Sequence, residues 1–368
     1  MPQNLDQKKI YVVCPFPQGV AAGQRLKYEQ YFSSWKKNGY EIHVSSFMDA
    51  ELWKVVYTKG NNLKKFLGVC RGYLRRFFDL FFFKQSDLVY VFMWGTPFGS
   101  SFYERLLRIL SHKVIYDIED NVLMEQTSSL NPLTRFLRGQ GKTRYLIKKA
   151  DHVITSSPFL NDYAIELNEK KLSTFISSSI DVNRFIPVNK YENKSVPIIG
   201  WTGTFSSKEY LDLLTPVFFE LSKKIKFKLR IIGNFEYSLP GIDLEVIQWT
   251  KENEVIDLQG IDIGVYPLPI NDWVLGKSGL KALQYMAFGL PTVATDVGTT
   301  PKIIKHMENG ILVKSKDDWI TALEALILRP QLREKLGKNA RETILIRYST
   351  EVIGKSYLKI INDLIGES

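Results

Sequence analysis

Short runs of β-branched and aromatic residues alternate with longer amphipathic stretches along most of this chain. Such runs read as buried strands, and segments with apolar positions three and four apart read as helices. The first series predicts strands at Ile10–Cys14, Glu41–Ser46, Leu88–Phe92, Lys113–Ile118 and His152–Ser156. A helix is predicted over Gln24–Asn38, stopped by Gly39. After Phe185 comes a polar connector, IPVNKYENKSVP. The second series predicts strands at Ile198–Gly203, Lys228–Gly233, Leu244–Ile247, Ile263–Tyr266, Thr292–Thr295 and Ile311–Val313, with a helix over Lys208–Lys224. Amphipathic helices are predicted near Gln331–Arg347 and Thr350–Ile365. Alternating strands and helices imply parallel sheets covered on both faces. The expected fold class is α/β, with two Rossmann-like domains whose sheets face each other across a cleft. The expected boundaries are an N-terminal domain 1–185, a linker 186–196, a C-terminal domain 197–349, and a last helix 350–368 that returns to the first domain.

The segment Gly276–Thr300, GKSGLKALQYMAFGLPTVATDVGTT, narrows the chemistry. It reads as a helix that begins among cations and small residues and ends at Gly289, with Pro291 blocking its continuation. Lys277, Lys281 and Gln284 are spaced i, i+4, i+7 and share one face. Leu280, Leu283 and Ala287 form the neighbouring apolar stripe. With Ser278 as cap, the amides of Gly279, Leu280 and Lys281 would face an anion that the two lysines neutralise. Taken alone, the segment is explained somewhat better by a surface helix with solvated lysines.

Other strand ends add candidates. Gly203 and Thr204 follow one strand and Gly233 and Asn234 another, positions suited to a phosphate or nucleotide, or to plain turns. PFPQGVAAGQR offers Gly19, Gly23 and Arg25 to the acceptor or phosphate side, the glycines for close backbone approach and Arg25 from the first helical turn. It contains no GxGxxG fingerprint, and a plain strand-to-helix turn explains it about as well. Asp117, Glu119 and Asp120 close the strand KVIYDIED, where carboxylates would bind sugar hydroxyls, act as a base or hold a divalent ion. A simple helix cap at Asp120 is the alternative. The four histidines have no metal-ligand spacing.

Composition limits the partners. At 368 residues the chain is long enough for two domains, and two cysteines are too few for a disulfide framework and suit a reducing compartment. No signal peptide and no transmembrane run of about 18 apolar residues is expected. The net charge is +10. Through Phe185 there are 26 Lys+Arg and 17 Asp+Glu, a difference of +9, so the basic excess lies in the first half. Residues 62–83, NLKKFLGVCRGYLRRFFDLFFF, interleave cations with aromatics. They read either as a helix lying in an anionic membrane interface or as a covering helix whose cations snorkel.

Several segments together resemble the family 4 retaining glycosyltransferases of the GT-B fold. ITSSPFLNDYAIEL is similar to the family's strand-Ser-helix, and FISSSIDVNRFIPV to its entry into the linker. GIDIGVYPL followed by LQYMAFGLPTVATDVG resembles its Glu-Ala-Met-Ala-x-Gly-x-Pro block, and LREKLGKNARETILIRYS its C-terminal helix. The resemblance implies a nucleotide-diphospho-sugar donor held by the second domain, an acceptor held by the first, and transfer with retention and without a metal. Two departures stand out. The family's paired glutamates fall on Gly276 and Gln284, and its Arg–Lys pair is reduced to Lys208. Lys277 and Lys281 are therefore expected to neutralise the diphosphate and Gln284 to hold the ribose. A family histidine falls on Glu119, which makes Glu119 and Asp120 the expected catalytic pair.

These readings converge on a UDP- or GDP-sugar as donor and a glycan or lipid-linked acceptor, in surface polysaccharide or glycoconjugate assembly. No cofactor is expected, since the nucleotide sugar is a co-substrate. The expected location is cytoplasmic, peripheral on the inner face of the membrane through 62–83, and no nucleic-acid partner is expected. The missing glutamates leave a second reading, a catalytically inactive sugar-nucleotide-binding or partner subunit. A metal-dependent transferase using Asp117–Asp120 is a third.

Overall fold

The computed structural model describes residues 7–119, 140–188 and 196–366. By internal packing the chain divides into two units. Unit 1 contains residues 1–177, 276–278 and 353–368, and unit 2 contains 178–275 and 279–352.

Unit 1 is built on a six-stranded sheet: β1 (Lys8–Cys14), β2 (Tyr40–Ser46), β3 (Leu88–Phe92), β4 (Lys113–Ile118), β5 (His152–Thr155) and β6 (Ser173–Phe175). The order is 2-1-3-4-5-6 and every pair is parallel, with Ile10 opposite both Ile42 and Leu88. β3 is buried at all five positions, as expected of a strand covered on both faces. One face packs Tyr28, Trp35 and Tyr90 against Tyr357 and Ile361 of the last helix, Thr350–Ile365. The other packs Tyr11, Val89 and Tyr116 against Phe83, Leu107 and Leu160.

The expected helix Gln24–Asn38 is instead three short pieces: Ala22–Arg25, a 3-10 turn at Glu29–Tyr31, and Phe32–Lys37. The break serves burial. Leu26, Lys27 and Tyr28 all turn inward, and the Gln30 side chain donates to the carbonyls of Leu26 and Lys27 that a continuous helix would have used. Arg25 consequently lies at the end of a four-residue, single-turn helix.

Unit 2 repeats the plan with β7 (Ile198–Gly203), β8 (Lys228–Gly233), β9 (Leu244–Gln248), β10 (Ile263–Tyr266), β11 (Thr292–Thr295) and β12 (Ile311–Val313). The order is 12-11-10-7-8-9, again all parallel. The predicted helix Lys208–Lys224 divides into Lys208–Asp212 and Thr215–Ser222. Pro216 lies in the first turn of the second piece, where its missing N–H costs nothing, but it cannot continue the first. The helix Leu280–Ala287 crosses from β10 to β11 and buries six of its eight residues.

Candidate functional site

In open parallel sheets the crevice for a ligand opens beyond the carboxyl ends of the strands, where the strand order reverses. In unit 2 that point lies between β7 and β10. β7 ends at Gly203-Thr204, and the crossover helix Leu280–Ala287 begins on the same edge because it follows β10.

The turns here need glycine for lack of room. A Cβ on Gly203 would fall 2.3 Å from the Trp201 ring and 2.7 Å from Ser207 Oγ. One on Gly233 would fall 2.9 Å from the Gly203 carbonyl. Asn234 Oδ1 accepts from the Phe205 amide at 2.9 Å, which ties the two turns together. Thr204 begins a 3-10 turn, its amide donating to Ser207 Oγ at 3.2 Å. Lys281 reaches the same place, donating to Ser207 Oγ at 3.1 Å and lying 4.8 Å from the Trp201 ring centre. Gly203, Thr204, Gly233, Asn234 and Lys281 therefore meet at one sheet edge.

Two expectations for this segment change. The residue before the helix is Gly279, left-handed at φ +77°, and no side chain caps the helix. Ser278 is buried and does not act as the cap. A left-handed φ suits glycine, and a Cβ there would lie 2.4 Å from Ile303 Cδ1. Lys277 and Ser278 group with unit 1, whereas Gly279, Leu280, Lys281 and Gln284 group with unit 2, so the i, i+4, i+7 face does not extend back to Lys277. Gly276 ends a 3-10 turn, Asp272–Gly276, and its carbonyl accepts from Ser156 Oγ at 3.3 Å.

Gln284 is buried, and its amide nitrogen lies 3.5 Å from Glu254 Oε1. Glu254, also buried, pairs through Oε2 with Arg184 at 2.9 Å. The carboxylate absent at position 284 is thus present beside it, supplied by the helix Glu254–Gln259. Nothing in the sequence spacing singled out Glu254, which is 30 residues away from Gln284. Lys208 is engaged by Asp212 at 2.9 Å, one turn along its own helix.

In unit 1 the order reverses between β1 and β3. Gly19 (φ +78°) turns the loop after β1, but its amide donates to Glu29 Oε2 at 2.8 Å. Gln24 donates to the other oxygen of Glu29 at 2.6 Å. The Gly19 amide is therefore committed to a protein carboxylate. Gly23 makes room for Glu119, since a Cβ there would fall 2.6 Å from Glu119 Oε2. Arg25 is buried.

Asp117 is sealed in. It is fully buried, pairs with the buried Lys27 at 2.5 Å, and accepts from the Tyr90 hydroxyl. Burial pushes its carboxyl up, and Lys27 opposes the shift. Asp117 is therefore a core ion pair and not an available metal ligand. Lys27 escaped notice because a lysine within an amphipathic stretch reads as solvated. Glu119 is half-buried, and Asp120 lies outside the described residues. Among the described residues no group of three His, Cys, Asp or Glu side chains is arranged to hold a metal.

Residues 183–343 match the family described as Glycosyl transferases group 1. The matched stretch contains β7–β12, the two glycine turns and Lys281. A curated relative, N-acetyl-alpha-D-glucosaminyl L-malate synthase of Bacillus anthracis, is 33% identical over 261 residues, covering 67% of this chain and 66% of that one. The chain thus aligns with just under two thirds of that relative's length. Among solved structures, sucrose-phosphate synthase from Thermosynechococcus elongatus superposes with a TM-score of 0.74 at 16% identity, covering 98% of this chain and 100% of that one. Anabaena HepE, solved in complex with UDP and glucose, superposes with a TM-score of 0.67 at 12% identity, covering 97% and 100%. The chain thus shares the two-unit α/β fold of these solved structures, the GT-B fold.

Proposed function

We propose that this protein is a glycosyltransferase that moves a sugar from a UDP- or GDP-sugar to a glycan or lipid-linked acceptor, with retention and without a metal. Its setting would be surface polysaccharide or glycoconjugate assembly, in the cytoplasm at the inner face of the membrane. The observation that carries the reading is Lys281. Its ammonium stands between the Gly203-Thr204 turn and the start of a crossover helix, where the diphosphate of a nucleotide sugar would gather negative charge as it leaves. A cation and helix-terminal amides fixed in advance stabilise such developing charge. The Anabaena structure, solved in complex with UDP and glucose, supports the donor class. Glu119 is assigned to hydroxyls of the donor sugar or acceptor.

The test is a thermal-shift panel of UDP, GDP and their sugars on wild type and Lys281→Ala. Binding stabilises the folded state by linkage, so the productive nucleotide raises the wild-type Tm and the variant loses most of the rise. No shift with any nucleotide would overturn the proposal. The arrangement Gln284–Glu254 favours one alternative, a sugar-nucleotide-binding subunit without catalysis, because the amide already has a protein carboxylate beside it. Donor hydrolysis or transfer by the purified protein excludes that alternative.

A further inference from the structure

The helix Asn62–Phe83 is turned inside out. Its inward stripe is Gly68, Gly72, Arg76, Asp79 and Phe83. At 3.6 residues per turn, Leu63, Leu67, Leu74, Phe77, Phe78 and Phe81 share an arc of about 100° directly opposite. All six are exposed, Leu63 to 71%, Phe77 to 55% and Phe81 to 60%. Phe77 stacks edge-on with both Phe78 and Phe81, so the aromatics form one continuous surface.

The rotation of this helix is locked. Gly68 and Gly72 bring it against Leu52 and Phe47, and a Cβ on Gly72 would lie 2.6 Å from the Phe47 ring. Arg76 pairs with Asp79 at 2.7 Å and donates to the carbonyls of Cys14 and Gly95, each at 2.7 Å. Asp79 also accepts from Tyr11 at 2.8 Å and from Ser45. Rolling the phenylalanines inward would expose or strand that buried ion pair, which is costly.

A soluble helix places its apolar arc inward, so this arrangement calls for an apolar partner outside. Charge identifies which one. Residues 50–84 contain eight Lys+Arg (54, 59, 64, 65, 71, 75, 76, 84) against two acidic residues (51, 79), a difference of +6. Lys64 and Arg71 border the apolar arc and are exposed, and Arg71 pairs with Asp49 and Glu51 at the surface. Among the described residues no helix is long and apolar enough to cross a membrane. We infer that the outward face of Asn62–Phe83 docks unit 1 on an anionic lipid surface, with the helix lying in the interface and Leu67, Leu74, Phe77, Phe78 and Phe81 entering it. Interfacial helices combine these features: an aromatic face, a basic border and no span. The inference names the contact behind the peripheral placement proposed above, and it does not depend on the transfer chemistry.

The experiment is co-sedimentation of the full chain with vesicles of phosphatidylcholine alone and with about one-third phosphatidylglycerol. Wild type is expected to pellet with the anionic vesicles, at least tenfold more strongly than with the neutral ones, and to be released by salt. Phe77→Ser/Phe78→Ser/Phe81→Ser is expected to stay in the supernatant while keeping its circular dichroism spectrum and its nucleotide-sugar thermal shift. Wild type that ignores anionic vesicles, or a triple variant that binds them undiminished, overturns the inference. So does a wild-type dimer that the same three serines dissociate, which would assign the face to a second copy of the chain. The nucleotide shift reports separately on the function proposed above.

Discussion

Gly23 and Glu119 are in direct apposition: the place where a side chain would begin on Gly23 is 2.6 Å from the Glu119 carboxylate. The two residues come from different strand ends of unit 1, and the glycine's backbone, not left-handed, tolerates alanine. Gly23→Ala is therefore expected to push Glu119 aside without unfolding the protein, since alanine also favours a helical position by about 0.5–1 kcal/mol. If Glu119 serves the reaction, transfer falls about tenfold or more, on the scale of a lost acid–base contact, while Tm is unchanged or higher. Steady-state transfer and thermal unfolding of the one variant decide this. Unchanged kcat would remove Glu119 from the reaction.

Lys281→Ala is expected to weaken nucleotide-sugar binding about tenfold or more, on the scale of a lost charge-assisted contact. Lys281→Arg is expected to recover part of the charge but not the 3.1 Å bond to Ser207, because the planar guanidinium does not mimic a compact ammonium. Isothermal titration with the preferred nucleotide measures both.

Gln284→Glu puts a carboxylate where the family that the chain resembles has its second glutamate. With Glu254 Oε1 only 3.5 Å away, it instead places two carboxylates side by side in a buried site. It is expected to destabilise by about 1–3 kcal/mol at neutral pH, the range for a buried polar mismatch. Adding Glu254→Gln exchanges the partners and is expected to recover most of the loss. A denaturant-unfolding double-mutant cycle measures the coupling, and simple additivity would refute it.

Several parts of this structure were legible because local chemistry agreed with the global fold. Val12, Val13, Tyr90, Val91, Ile231 and Ile232 lie in runs that only a covered parallel strand accommodates, and they form strands. Strand β6, Ser-Thr-Phe, was not anticipated, because three half-buried residues show neither a run nor an alternation. The bounds of the Asn62–Phe83 helix were readable from its sequence, but its orientation was not. Periodicity shows that an apolar face exists, and only Gly68, Gly72 and the Arg76–Asp79 pair decide that it turns outward. The same limit hid Lys27, whose partner Asp117 is separated from it by three strands' worth of chain. At the β7 edge of unit 2 the glycine turns were visible, whereas Glu254 was not, because a carboxylate supplied by another helix leaves no trace in the spacing around Gln284.

Arg76→Leu is expected to cost about 3–5 kcal/mol, the range for stranding one partner of a buried ion pair. Asp79 would be left with only the Tyr11 and Ser45 hydroxyls. Pairing it with Asp79→Asn is expected to recover part of the loss. Urea unfolding of the single and double variants provides the comparison.

His152 gives unit 1 an acid-sensitive seam. Burial holds its imidazole below the ordinary value, with Asp363 opposing, and the ring bonds the Thr174 hydroxyl at 2.9 Å between β5 and β6. A depressed folded pKa means that the unfolded chain binds more protons in the window between that value and about 6.5. Stability from this group is thus present above about 6.5 and lost as pH falls through the folded value. His152→Gln is expected to flatten that part of the Tm–pH profile. An unchanged slope between pH about 7 and 5 would assign the acid sensitivity elsewhere.

The last helix has a consequence for how the chain is made. Tyr357, Ile360 and Ile361 belong to the same core as Ile10, Trp35 and Tyr90. Chains emerge from the ribosome N-terminus first, and domains generally fold as they appear. Unit 1 cannot do so here, because residues that complete its core are synthesised only after unit 2. The first half must wait, partly open, until the second half has formed. A shortened chain ending before Thr350 would leave that core permanently uncovered.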